Sequence, residues 1–253
     1  MISRKQGLAA LSKTKNLAFR CWLYRSYYFW RLSAAVAYWF YVNARNNELI
    51  GKVTSPDRGE RSERRLVLRL LRMGINPRAI FHDLYVQKPN GEYTQIDLAV
   101  ATSAGLIVFE VKDYGGWIFG NEGQRYWTKV LAYGRFKSRF YNPIMQNQGH
   151  IRALRSRLPQ NPNTPIYSII VFYGNCFFRN VTYYSTDTYI LHPHEVNNAV
   201  SELMNRPNAD FGNKYEIMDV LTQAVRNGND PQIVASQRQT ARCSASNGTR
   251  WPF

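Results

Sequence analysis

Apolar and polar residues change their spacing several times along the first half of the chain, and each change predicts a new element. Residues 60–74 place Leu and Val at helical spacing between arginines, and Gly74 is typical of a helix C-terminus. Residues 79–87 predict a strand, which the Asn-Gly turn at 88–92 ends. Residues 95–116 predict two further strands joined by a turn of small residues. The first half therefore reads as one helix followed by three strands.

The second half of the chain continues with alternating helical and strand patterns. Residues 142–158 predict a helix that begins at Asn-Pro, and the apolar run at 165–174 predicts a buried strand. A short strand at 188–193 precedes a predicted helix at 194–205. Residues 117–140, rich in aromatic residues and glycine, predict a short irregular or β excursion. Together the elements predict a mixed α/β sheet flanked by helices.

The N-terminal residues 1–47 differ from the rest in composition. They hold eight Lys and Arg and no acidic residue. Within them, residues 27–42 are almost wholly apolar or aromatic, which predicts a helix, although Arg31 interrupts the run. The run is shorter than the ~20 residues that span a membrane. A helix lying on a membrane surface and a helix packed against protein both fit this composition.

The other end of the chain also has a distinct composition. Residues 229–253 are polar and without periodicity, and they predict a flexible tail. Residues 48–228 are left as the central domain, and their length is sufficient for one sizeable core.

The charge balance favours an anionic partner. The 33 Lys and Arg exceed the 17 Asp and Glu and give a net charge of +16, which suits nucleic acid or an acidic membrane surface. The three cysteines are scattered and form no CxxC pair, which predicts a reducing, cytoplasmic compartment, with membrane association through residues 27–42 left open. His192 and His194 suit either a metal or, as we prefer, a polar junction between a strand and a helix.

Three charged residues interrupt the apolar hairpin at 95–116. Asp97 lies in its first strand, and Glu110 and Lys112 lie in its second. If the loop is tight and centred between residues 103 and 104, Asp97 lies directly opposite Glu110, and Lys112 shares their face. Ile96 should then point to the other face, together with the next apolar residues of its strand.

Opposed carboxylates repel each other unless a cation neutralises them, and oxygen ligands suit Mg²⁺ or Mn²⁺. A further acid is available on the preceding helix, where Glu63 stands on the apolar side and points toward the sheet. Glu60 is the second candidate for this position. The structural alternative is an ion pair between Lys112 and Asp97 or Glu110 at the edge of a sheet.

An Asp followed by Glu-x-Lys, downstream of an acidic helix, resembles the PD-(D/E)xK superfamily of restriction-endonuclease-like fold. More specifically, the chain resembles the nuclease-related domain (NERD) family. The matching stretches are residues 59–63, 94–100, 105–116, 126–127 and 142–154. The proline that precedes the metal-binding Asp in the superfamily is replaced here by Ile96.

This resemblance implies roles for individual residues. Asp97, Glu110 and Lys112 would form the catalytic core, and Gln146 would contact a phosphate or a water on the metal. Glu63, Asp97 and Glu110 would bind the Mg²⁺ or Mn²⁺ ion.

The expected function is hydrolysis of phosphodiester bonds in DNA by a metal-dependent nuclease, in DNA processing or defence, and RNA stays open as a substrate. A non-catalytic nucleic-acid-binding module and a membrane-tethered adaptor are the alternatives, because the same fold can serve either. The sequence does not determine the oligomeric state.

Overall fold

The computed structural model describes residues 29–131 and 134–246. The chain divides into two compact units, Met1–Leu49 and Ile50–Phe253. Helix α1 covers residues 29–51, as predicted for the aromatic segment from residue 29 onward; residues 27 and 28 lie outside the described part. Among the described residues no helix is both long enough and apolar enough to cross a membrane.

The second unit contains two sheets and five further helices in its described part. In chain order, its strands are β1 (Ile80–Gln87), β2 (Tyr93–Thr102), β3 (Gly105–Asp113), β4 (Gly116–Asn121), β5 (Tyr126–Leu131), β6 (Phe136–Tyr141), β7 (Ile166–Tyr173), β8 (Cys176–Thr182) and β9 (Thr188–Leu191). The helices are α2 (Arg61–Arg72), α3 (Pro143–Ser156), α4 (Val196–Met204), α5 (Lys214–Asn227) and α6 (Pro231–Ser246).

The central sheet has the strand order β1-β2-β3-β7-β9. Strands β1, β2 and β3 pair antiparallel, whereas β3, β7 and β9 pair parallel. Apolar residues of α2 and α4 pack in one cluster with residues of the central sheet. Apolar residues of α3 and α5 pack in a second cluster with other residues of the same sheet. The result is the predicted mixed α/β fold, consistent with a restriction-endonuclease-like architecture.

A second sheet has the order β6-β5-β4-β8 and accounts for residues that the sequence pattern described poorly. Residues 117–140, for which the pattern left an irregular and a β excursion open, supply most of three regular strands, so the β alternative is the one that forms. Strand β8 and helix α5 were not predicted. The segment predicted to be a polar tail is helical from Pro231 to Ser246, with the Asp230 side chain accepting a hydrogen bond from the backbone N–H of Gln232.

Strands β2 and β3 separate before β2 ends, and this fork creates the space for a site. Their pairing runs from Thr102–Gly105 to Leu98–Phe109 and stops there. Strand β2 continues along β1 as far as Tyr93. At the fork the face pattern changes, because Ile96 packs in the cluster of α3 and α5 whereas Leu98 packs in the other. The prediction that Ile96 shares a face with the following apolar residues was therefore wrong.

Candidate active site

Asp97 lies at the fork, one residue beyond the last β2–β3 pair. The predicted register is confirmed by the pairs that form, and its continuation would place Asp97 opposite Glu110. Instead of a backbone pair, the Asp97 Oδ2 atom accepts a hydrogen bond of 2.7 Å from the Val111 backbone N–H. The carboxylate thus bridges the two strands where their ladder ends.

Glu110 and Lys112 lie on β3 and share one side of it. Lys112 Nζ is 2.6 Å from Glu110 Oε1 and donates a 3.0 Å hydrogen bond to Gln146 Oε1 on α3. The Glu110 side chain is only 2% exposed and that of Lys112 is 14% exposed. The structure therefore brings together Glu110, Lys112 and Gln146, three of the predicted catalytic residues. It also contains the ion pair between Lys112 and Glu110 that was the alternative interpretation of these charges.

A histidine and a threonine hold the second oxygen of Glu110. His150 Nε2 lies 3.2 Å from Glu110 Oε2, and His150 Nδ1 lies 2.8 Å from the Thr94 hydroxyl. Because a carboxylate only accepts, Nε2 carries the proton in this pair, and a neutral ring accepts the threonine hydrogen at Nδ1. The chain Thr94–His150–Glu110 fixes the carboxylate from the side of α3.

Glu63 is held in the same manner from the side of α2. Its Oε2 atom lies 3.1 Å from His82 Nε2, and His82 Nδ1 lies 2.7 Å from the Thr54 hydroxyl. Glu63 is buried and points toward the sheet as expected, while Glu60 is exposed at the start of α2. Burial thus favours Glu63 over Glu60 as the helical acid. Sequence reasoning found neither histidine, because their partners lie far away along the chain.

The charges at the fork shift each other's protonation. Burial, followed by the carboxylates of Glu110 and Glu63, raises the pKa of Asp97 well above its ordinary range. Burial would also raise the pKa of Glu110, but Lys112 and His150 outweigh it and the pKa is lowered. Burial opposes the charge of Lys112, yet Glu110 and Asp97 raise its pKa, so the ammonium form persists at neutral pH.

Asp83, in β1, lines the same cleft as Asp97. The sequence did not predict it as part of the site. Asp83 is the one residue other than glycine with positive φ in the described chain, at 56°. Arg58 Nε donates to Asp83 Oδ2 at 3.1 Å, and Gln95 Nε2 donates to Oδ1 at 2.8 Å. The ion pair with Arg58 offsets the charge of Asp83, and Arg58 Nη2 also donates a 2.8 Å hydrogen bond to the Asp83 carbonyl, which holds this unusual backbone at the edge of the site.

The fork opens into a cleft of about 750 Å³ that contains all the predicted site residues. The acids Glu63, Asp97 and Glu110 line it together with Lys112 and Gln146. Arg58 and Arg238 add positive charge at its walls. The cleft is therefore polar and acidic on balance, since seven Asp and Glu residues line it together with three cationic residues.

The donor set fits a hard divalent cation that is bound partly by its substrate. No group of three or more His, Cys, Asp or Glu side chains lies close enough to cage a metal ion in residues 29–131 and 134–246. Mg²⁺, however, commonly binds through one or two carboxylates with waters and substrate phosphates. Burial is the main cause of the raised pKa of Asp97, and the carboxylates of Glu110 and Glu63 add to it, so a cation bound there would offset the repulsion between these groups.

The two histidines at 192 and 194 have a structural role. Strand β9 ends just before His192, which caps a short 3₁₀ turn and forms a capping box with Glu195. His192 and His194 stack on each other. This arrangement agrees with the preferred interpretation as a junction between a strand and a helix.

Comparison with known proteins points to one family. The family model described as "Nuclease-related domain" matches residues 58–173, which include every predicted site residue. An uncharacterized protein of Bacillus anthracis is 31% identical over 156 residues, covering 61% of this chain and 71% of that protein. No solved structure gives a significant match.

Proposed function

Because this chain belongs to the nuclease-related domain family, we propose that it hydrolyses phosphodiester bonds of DNA with a divalent cation. The observation that carries the proposal is the fork between β2 and β3. There, Asp97 and Glu110 face one cleft with Lys112 beside them. A purely structural ion pair would need only one of the two acids.

The protonation of Lys112 defines what it can do. Its raised pKa makes it a poor base, so it would donate hydrogen bonds to negative charge developing on the phosphate. Gln146 and Glu110 hold the ammonium group in place, and either could release it toward a bound phosphate. Lys112 is thus a catalytic residue through charge stabilisation in this proposal.

Asp97 and Glu110 would bind Mg²⁺ or Mn²⁺, and Glu63, which lines the same cleft, would complete the set through a water. When bound there, the cation would polarise the phosphate and lower the pKa of an attacking water. Thr94 with His150 and Thr54 with His82 would keep two of these carboxylates oriented before the metal arrives. Arg58 and Arg238, at the walls of the cleft, would contact the nucleic-acid backbone.

The proposal is tested by incubating purified protein with plasmid and linear DNA in Mg²⁺, Mn²⁺ or EDTA, with an RNA of equal length in parallel. Cleavage only with a divalent cation is the expected result. Binding in EDTA without cleavage in either metal would favour the non-catalytic module instead. The Asp97→Asn protein, prepared identically, controls for a contaminating nuclease.

We further infer that α1 attaches the chain to an anionic membrane surface from the cytoplasmic side. Its aromatic side chains are more than half exposed, including Trp30 at 69%, Trp39 at 60% and Phe40 at 62%. Large exposed apolar patches mark interaction sites, and the eight cations of residues 1–47 suit acidic headgroups.

A further inference from the structure

The second sheet has one covered face and one open face. Its covered face contributes Ile118, Trp127, Phe140 and Phe178 to an apolar cluster that also contains Phe172 of the central sheet. Side chains alternate along a strand, so the intervening residues point away from this cluster. This second set forms the outer face of the sheet.

Aromatic residues from all four strands lie on the outer face. They are Trp117 and Phe119 on β4, Tyr126 on β5, Tyr141 on β6 and Phe177 on β8. Trp117 pairs with Phe177, and Tyr126 pairs with Tyr141. Phe177 is 57% exposed and Tyr141 is 42% exposed, so flat apolar rings are accessible from solvent.

Positive charges accompany these rings, and negative charges are missing. Lys137 and Arg139 on β6 are exposed, and their strand partners place them on the outer face. The Arg179 guanidinium lies 4.9 Å from the Trp117 ring, and that of Arg125 lies 5.5 Å from the Tyr126 ring. Strands β4, β5, β6 and β8 contain no Asp or Glu.

The second sheet adjoins the cleft through Tyr114. Tyr114 lines the cleft and follows directly after β3, the strand that carries Glu110 and Lys112. Lys129 Nζ of β5 lies 4.5 Å from the Tyr114 ring centre, and the Phe140 ring of β6 lies 4.8 Å from it. Because Phe140 belongs to the covered face, Tyr114 connects the cleft to that side of the sheet. A polynucleotide leaving the cleft would reach the outer face by passing around the second sheet, within the same compact unit.

We propose that the outer face binds single-stranded nucleic acid, with bases stacked on its aromatic rings and phosphates held by its cations. Exposed aromatics can stack only on bases that are not already stacked in a duplex. The absence of acids from these four strands favours a polyanion over an acidic or neutral protein partner. The proposal rests on the proposed function for its choice of substrate, and it extends that substrate to one with a single-stranded segment.

The experiment measures binding without cleavage, so that it stands even if no nuclease activity is found. Fluorescence anisotropy in EDTA gives the affinity of the full chain for a labelled single-stranded DNA, the same sequence as RNA, and the duplex. The outer-face variant combines Phe177→Ala, Lys137→Ala and Arg139→Ala. A control variant combines Tyr215→Ala, Arg78→Ala and Lys214→Ala, which also removes one exposed ring and two cations.

The outer-face variant should lose single-strand affinity by about 10- to 100-fold, while the control variant changes little. For the outer-face variant, the slope of log affinity against log salt concentration should fall in magnitude by about 0.7 for each phosphate that the variant no longer neutralises. Duplex binding should fall much less. The ratio of the affinities for single-stranded DNA and RNA then identifies the preferred nucleic acid.

Phe177→Leu alone keeps apolar bulk and removes the aromatic face, so it tests stacking if the triple variant is unstable. It should weaken single-strand binding about 5-fold or more with an unchanged Tm. Equal losses in the outer-face and control variants, or equal losses for single strand and duplex, would overturn the proposal. So would an unchanged affinity combined with altered self-association in sedimentation, which would mark a protein interface.

Discussion

At the scale of single residues, Lys112 is placed by two oxygens, Glu110 Oε1 at 2.6 Å and Gln146 Oε1 at 3.0 Å. This arrangement orients the ammonium group toward the cleft without making it a major binding residue. One lysine among 33 basic residues supplies a small part of the total electrostatic attraction.

Lys112→Ala should reduce the cleavage rate by about 10²-fold or more, because it removes charge stabilisation at the reacting phosphate. DNA affinity in EDTA should change little, with the salt slope falling by at most about one. Cleavage rates in Mg²⁺ and filter binding in EDTA measure the two effects. Lys88→Ala, which replaces a partly exposed lysine paired with Glu92 outside the cleft, is the matched control and should leave both unchanged. A Lys112→Ala protein that cuts at the parental rate would contradict the role.

Asp97 is expected to limit the stability of the metal-free protein. Its pKa is raised on folding by burial and by Glu110 and Glu63, so the native state loses stability as pH rises from the ordinary pKa of Asp through the raised one. Asp97→Asn keeps an acceptor for the Val111 N–H and removes the charge. In EDTA, its Tm should therefore exceed that of the parent at neutral pH, and the difference should vanish below the ordinary pKa of Asp.

Adding Mg²⁺ should reverse the order of the two Tm values, so that the parent becomes more stable than Asp97→Asn. Mg²⁺ at about 100 times its Kd would stabilise the parent by about 2.7 kcal/mol, and Asp97→Asn should gain much less. Thermal unfolding from about pH 3 to about pH 8, with and without Mg²⁺, provides the measurement. A lower Tm for Asp97→Asn in EDTA across this range would show that the carboxylate stabilises the fold.

At the scale of elements, the site depends on helices that orient groups on the sheet. Helix α3 brings His150 to Glu110, and β1 brings His82 to Glu63 on α2. Both histidines are buried, and each connects a carboxylate to a threonine from another segment. The packing of α2 and α3 on opposite faces thus sets where two of the acids point.

His150→Leu should weaken Mg²⁺ binding by about 10- to 100-fold, because Glu110 loses a hydrogen bond that orients it. His150→Gln, which retains an N–H donor, should recover part of the affinity. The midpoint of a Mg²⁺ titration followed by Tm shift separates this effect from a general loss of activity. His194→Leu is the control, since His194 lies at the junction after β9. Equal Mg²⁺ midpoints for the parent and His150→Leu would refute the positioning role.

At the scale of the whole molecule, charge and aromatic residues are concentrated in particular regions. Residues 1–47 carry eight cations without an acid, whereas the cleft collects several acids of the second unit. The cations of residues 1–47 are the proposed contact for a membrane surface. In residues 48–253, 25 Lys and Arg still exceed 17 Asp and Glu, and this excess outside the acidic cleft is the proposed attraction for nucleic acid.

Replacing Trp30, Trp39 and Phe40 by Ser should reduce binding to anionic vesicles by about tenfold or more per ring, as each loses roughly 1.5–3 kcal/mol of burial in the lipid. Co-sedimentation with vesicles of anionic and of neutral lipid measures this loss. Tyr215→Ser removes a ring that is 82% exposed in the other unit and should have no effect. If the full chain fails to bind anionic vesicles, α1 has another partner.

The sequence by itself determined the elements whose signal is local. Two apolar runs joined by a short turn predicted the β2–β3 hairpin, its register and the proximity of Asp97 to Glu110. Helical spacing placed Glu63 on the buried side of α2. These features depend on neighbouring residues along the chain, so their pattern is visible without the fold.

Only the tertiary structure decided the fork and the groups that support it. Ile96 and Leu98 pack in different clusters at the fork, where β2 leaves β3 and where Asp83 of the neighbouring β1 has positive φ, and no pattern within β2 alone reveals this. His82, His150 and Arg58 acquire their roles from partners at least 19 residues away. The pattern likewise gave no sign of helix α6 or of strand β8, and for residues 117–140 it did not decide between irregular and β structure. Long-range contacts of this kind depend on how the elements pack, and packing free energy can override local preference.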